Sequence, residues 1–151
     1  MKASLLVGGL VALLTGLAIG TQATISSRVG AMIGDMQTGL LTSLFGGTVG
    51  LILVSGWYLW RPGDVQLTLP AGKMLLIAGI LGLFIIAGIS FSLQRVGVAA
   101  GLAALILGQM AISISVDALG IGGVEPIPVT FQRVLGLVTM AFAVYLLLPR
   151  P

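Results

Sequence analysis

The sequence predicts an all-α integral membrane protein with five transmembrane helices, and three observations carry that expectation. Of 151 residues, 58% are hydrophobic and only 7% charged, against about 25% charged in soluble domains. A soluble domain of this length could not hide so much apolar surface. Uncharged runs of about 20 residues, the number a helix needs to cross a hydrocarbon core about 30 Å thick, recur between charged or Pro/Gly-rich breaks. These runs are apolar on all faces, whereas outer-membrane strands alternate polar and apolar residues over about 10 positions. Helices are therefore expected at 3–27, 36–60, 74–94, 96–116 and 130–148, together one transmembrane domain over 1–151.

The first run extends from Ala3 to just before Arg28. Lys2, the apolar stretch and Thr21-Gln22-Ala23 also fit a signal peptide with a small-residue cleavage site. The stretch is long for such a segment, however, and polar Gln22 and Thr24 lie inside a run that continues to Ser27. An uncleaved first helix is the expectation. The second run lies between Asp35 and Arg61, and Trp57, Tyr58 and Trp60 form an interfacial aromatic belt at its end. Pro62, Gly63 and Asp64 then signal a turn.

Pro70 suits the first turn of the third helix, where its missing N–H leaves no helical bond unmade. The uncharged part of that run lies between Lys73 and Arg95. A connector of one or two residues at Arg95 makes helices three and four a tight antiparallel pair. The fourth run stops before Asp117. Pro126 and Pro128 lead to the fifth, which carries Gln132 and Arg133 in its interfacial first turn and Tyr145 as an anchor near its far end.

Five crossings assign the seven Lys and Arg residues to two faces: Lys2, Arg61, Lys73 and Arg133 on one, Arg28, Arg95 and Arg150 on the other. Lys and Arg near span ends decide orientation, with Asp and Glu contributing little, so four against three is a weak instruction. Either all copies insert one way and the margin is small by chance, or both orientations are inserted and an antiparallel pair forms. The second alternative fits the odd number of spans. Many transporters pair two inverted repeats around a site near the bilayer midplane, and a unit with an odd number of spans needs a second unit of opposite orientation to complete such an object. No internal repeat is evident, so the chain reads as one half of an inverted-repeat transporter. The implied partner is a second copy or a related five-span chain.

Packing chemistry agrees that these helices approach one another. Glycine makes up 23 of the 151 residues, about twice the usual frequency, and small residues four apart let backbones come close in lipid. Gly16 and Gly20 have that spacing in the first helix, Gly46 and Gly50 in the second, and Gly97 and Gly101 in the fourth. Ala100, Ala104 and Gly108 extend a second ladder along the fourth helix. Packing within one subunit accounts for most of these positions, and the fourth helix is the choice for an intersubunit contact.

Polar groups inside apolar spans face a bundle interior or a cavity, because exposing them to lipid is costly. Gln109 with Ser113 one turn later, and Gln22 with Ser26 one turn later, are the candidate lining of a substrate pathway. Each Gln serves equally well as an interhelical hydrogen-bonding group. Asp117 is a further pathway candidate, able to attract a cation or substrate or simply to end its helix. Arg28 guides anions or marks topology, and Glu125 sits in a solvated loop. Asp35, Asp64 and Asp117 all fall at span ends, so no buried carboxylate is expected.

The chain has no His and no Cys, which leaves no basis for a metal site, thiol chemistry or a histidine proton switch, and no cofactor is expected. An enzyme is not expected either, since no nucleophile–base pair or metal cluster is visible. Seven cations spread over two membrane faces form no nucleic-acid-binding patch. The expected partners are membrane lipid, a small-molecule substrate and another five-span chain. A small-molecule permease working as a dimer is the leading function, with an accessory or structural membrane subunit as the alternative.

Several segments together resemble a known family. They are Gly16-Leu-Ala-Ile-Gly20-Thr-Gln22-Ala23 with Ser26, Arg28 and Gly30, Ser43-Leu-Phe45-Gly46-Gly47, Leu107-Gly108-Gln109 leading to Asp117 and Gly120, and Arg133-Val-Leu-Gly136. Their order and spacing are similar to the short YdcZ-like branch of the drug/metabolite transporter superfamily, over nearly the whole chain. The resemblance implies a small-molecule permease or exporter of the bacterial inner membrane working as a pair of five-span units, related to ten-span EamA-type permeases that are duplicated inverted repeats. The chain departs from the family at Ser26, where Asn is typical; Ser has one donor and no amide plane. Small multidrug-resistance exporters of the same superfamily use a Glu in the first helix to exchange protons for cationic drugs, and this first helix has none. The expected mechanism is an antiparallel dimer with a polar pocket near the midplane, lined by helices one and four and alternately opened by rocking.

Overall fold

The structure, a computed structural model, describes residues 2–61, 68–121 and 125–149, with side chains from Leu6 onward. The expected turn at Pro62, Gly63 and Asp64, the side chain of Lys2 and the C-terminal Arg150 lie outside the described residues. The described residues form five helices and no strand: α1 (Lys2–Ile33), α2 (Asp35–Trp60), α3 (Leu69–Val96), α4 (Val98–Leu119) and α5 (Phe131–Leu147). The all-α expectation therefore holds. The first four are long and apolar enough to cross a membrane. With 17 residues, α5 is about 25 Å long, short of a core about 30 Å thick. Local thinning of the bilayer and the extended residues at its ends accommodate such a difference.

The helix bounds show what actually stops a helix here. Arg28 was the expected end of the first helix, yet α1 continues to Ile33. One long cation near an interface extends its head group towards water without breaking the backbone pattern, so charge alone is a poor stop signal. The break comes at Gly34, whose φ of 95° and ψ of 150° lie in a region that is essentially glycine-only. Its N–H donates to the Gly30 carbonyl at 2.8 Å and its own carbonyl accepts the Thr38 N–H at 3.0 Å. One residue thus closes α1 and opens α2.

The same device separates α3 from α4. Gly97 has φ 82° and ψ 161°, donates its N–H to the Leu93 carbonyl at 3.1 Å and accepts the Gly101 N–H at 3.0 Å. Arg95, expected as the connector, instead lies in the last turn of α3. At its other end α3 starts at Leu69 rather than Met74, which places Pro70 in the first turn as expected and Lys73 inside the helix.

The chain divides into two compact units, Met1–Phe91 and Ser92–Pro151. In the first, α1 packs against α2. Ala23, Ser26, Ser27 and Gly30 are buried at helical spacing along one face of α1. Small side chains dominate this interior, and Thr38 and Ser90 are wholly buried.

In the second unit α4 packs against α5. The end of α4 is closed by Gly120 in the left-handed conformation, with the Gly120 N–H donating to Asp117 and the Ile121 N–H to Val116, a Schellman arrangement. Thr130 begins α5, its hydroxyl accepting the Arg133 N–H. Away from the packed faces both units present large apolar side chains, such as Leu51 at 68%, Leu76 at 66% and Ile112 at 67% exposure. In water such a surface would be a liability; in a bilayer it faces lipid.

Candidate functional site

α1 places Gln22 and Ser26 one turn apart, but on different sides of the packing boundary. Ser26 is buried together with Ala23 and Ser27, whereas Gln22 is exposed. Gln109 and Ser113 are likewise one turn apart on α4, and both are exposed. Gln22 and Ser26 belong to the first compact unit, and Gln109, Ser113 and Asp117 to the second. Only α4 therefore displays a carboxamide with an exposed hydroxyl one turn away; on α1 the carboxamide is exposed and the hydroxyl is buried.

Asp117 has a definite partner. Arg133 Nη1 donates to Asp117 Oδ2 at 3.0 Å, joining the last turn of α4 to the first turn of α5. The backbone carbonyl of Asp117 accepts the Ile127 N–H at 2.9 Å, so the same residue also holds the connection that leads into α5. With the two side chains 30% and 36% exposed, the pair is partly solvated and of modest strength. Glu125 is exposed in that connection, as expected, and Arg28 is exposed on α1.

Sequence reasoning missed the polar contact in the first unit. Asp35 was expected at a span end with no buried carboxylate; it is half-buried in the first turn of α2. Its Oδ1 accepts the hydroxyl of Ser90 from α3 at 2.6 Å. Thr38, one turn further along α2, bonds its hydroxyl back to the Gly34 carbonyl at 2.9 Å. A glycine turn followed by an acid and, one turn on, by Thr38-Gly39 was the available signal, because small residues there allow α3 to come close.

The glycines expected to pack helices fall into two groups. For Gly16, Gly46, Gly50, Gly97 and Gly108, an added Cβ would meet nothing within 4 Å among the described residues. Gly101 is packed, its Cβ position lying 2.7 Å from Leu93 Cδ1. Ala104 is exposed while Ala100 is buried. The tightest approach is at Gly39, outside the expected set, where a Cβ would stand 2.6 Å from the Leu83 carbonyl oxygen.

The family described as "Putative inner membrane exporter, YdcZ" matches residues 7–146, which takes in all five helices almost completely. The chain belongs to the YdcZ family of the drug/metabolite transporter type. No curated protein and no solved structure matches the chain. Family membership and the apolar helices together make it an integral inner-membrane protein of a transporter family. In this YdcZ-family chain, polar groups on α1 and α4 and interhelical contacts at Asp35 and Asp117 interrupt otherwise apolar helices.

Proposed function

We propose that this YdcZ-family chain exports a small molecule as a pair of five-span units, the two inserted in opposite orientations. The family match over residues 7–146 carries the transport part of the reading. The near-even division of Lys and Arg between the two faces supports opposite insertion, because no strong positive bias fixes one orientation. The pathway would be lined by Gln22 of α1 and by Gln109 and Ser113 of α4, with Asp117 near its end; Ser26, buried one turn from Gln22, would support that lining from behind. The exposure of both carboxamides supports this assignment: a Gln facing lipid is unfavourable, and a polar cavity shared with a second unit removes that cost. Packing of α4, through Gly108 and Ala104, against the partner unit belongs to the same proposal. Relative movement of the two five-span chains would then open the cavity to alternate sides of the membrane.

Two measurements test it. A reporter fused to the C-terminus and read on both sides of the membrane is expected to give signal from both faces; signal from one face alone would leave a related five-span chain as the only partner the proposal allows. Replacing Gln109 with Leu is expected to abolish flux while leaving membrane insertion and amount unchanged. Unaltered flux would remove Gln109 from the pathway.

A further inference from the structure

We propose that α2 and α3 work as a scissor-like pair, pinned near Asp35 and Ser90 and able to close further along, with Gly46 against Gly79 as the closing contact. The pin includes two contacts. The Asp35 carboxylate accepts the Ser90 hydroxyl at 2.6 Å. One turn on, Gly39 lies so near α3 that a Cβ would stand 2.6 Å from the Leu83 carbonyl oxygen and 3.0 Å from Ala87 Cβ.

These contacts set the register of the pair, since positions rise along α2 as they fall along α3. Eleven residues forward from Asp35 is Gly46, and eleven back from Ser90 is Gly79. Eleven residues is close to three whole helical turns, so each glycine lies on the face of its helix that already carries the pin. The register therefore sets one glycine opposite the other. Yet among the described residues a Cβ on either would meet nothing within 4 Å, and both glycines are exposed. The helices touch at the pin and are not in close contact at these glycines, roughly 16 Å further along.

Glycine is a poor helix residue, and in lipid it is used where two backbones come close. Two glycines on the faces already in use, at the register an existing contact dictates, mark a second position in which α2 and α3 lie together. The structure holds the open position. This inference rests on the fold of the first unit alone; only its consequence for flux rests on the transport reading above.

The chain contains no cysteine, so paired cysteines can be introduced on a clean background. The double variant Gly46→Cys with Gly79→Cys, oxidised mildly in membrane vesicles, is expected to form an intramolecular disulfide in most of the chain, read as a mobility shift reversed by reductant. Thr48→Cys with Gly79→Cys, which moves one thiol to the opposite face of α2, is expected to stay unlinked. Failure of the Gly46 and Gly79 pair to link, while both thiols react with a maleimide and the protein elutes as wild type, overturns the proposal. So does a linked dimer formed by Gly46→Cys alone, which would show a second copy covering that face. If the intramolecular link forms and flux falls, reductant should restore it. A link that leaves flux unchanged would uphold the closure and count against the transport reading.

Discussion

Gly39 and Gly101 occupy comparable places beside two one-residue helix junctions, and they differ in what they press against. Gly39 follows the turn at Gly34 and Gly101 follows the turn at Gly97. An added Cβ would lie 2.6 Å from the Leu83 carbonyl oxygen at Gly39 and 2.7 Å from Leu93 Cδ1 at Gly101. The distances are nearly equal, but the obstacles are not. A carbonyl within α3 is held by its own helical hydrogen bonds, whereas a leucine methyl moves when its side chain changes rotamer. How tight a contact looks is thus a weaker guide to its importance than whether the neighbour can give.

The largest expected effect is therefore at Gly39. Gly39→Ala forces α2 and α3 apart, and because Asp35 and Ser90 meet one turn away, the separation also strains their hydrogen bond. A loss of about 2–3 kcal/mol is expected, the upper part of the usual range for overpacking. The check is the temperature at which the detergent-solubilised protein loses its monodisperse peak in fluorescence-detected size exclusion. A Gly39→Ala protein as stable as wild type would break the comparison, because α3 would then be free to yield.

The contrast also shows how much was legible in the sequence. The helices were, because runs such as 36–60 and 96–116 are long, uncharged and bounded by charge or Pro/Gly, and lipid leaves the backbone little alternative to helix. The junctions were legible only in part. Arg28 and Arg95 marked the neighbourhood of each break, but Gly34 and Gly97 make it, and which of many glycines adopts a positive φ depends on how the next helix folds back. Gly46 and Gly50 have the small-residue spacing expected of a packed face, yet among the described residues no atom comes near the Cβ position of either. Gly39 has no glycine four residues away and makes the closest approach. Spacing identifies faces that permit contact; the partner's register decides where contact occurs. For the same reason Asp35 read as a span end, since its contact with Ser90 of α3 joins residues 55 apart in sequence. Asp117 read both as a helix end and as a pathway candidate, and its pairing with Arg133 supplies a structural role without deciding the other.

The smaller expected effect is at Gly101. The substitution Gly101→Ala obliges the buried Leu93 side chain to shift, with Ser92 Oγ at 3.4 Å limiting the room on one side. A loss of about 1 kcal/mol is expected, at the low end for overpacking, and the backbone of α4 should not move. Leu93→Val tests that mechanism, because it shortens the side chain that blocks the new methyl. Alone it should destabilise by about 1 kcal/mol through lost packing. Combined with Gly101→Ala, the two losses should not add, since the room left by one change receives the other, and contacting residues couple in this way. Strict additivity in the double variant would mean that the α4 backbone, not Leu93, absorbs the strain at Gly101. Leu93 would then be no more yielding a neighbour than the Leu83 carbonyl is at Gly39.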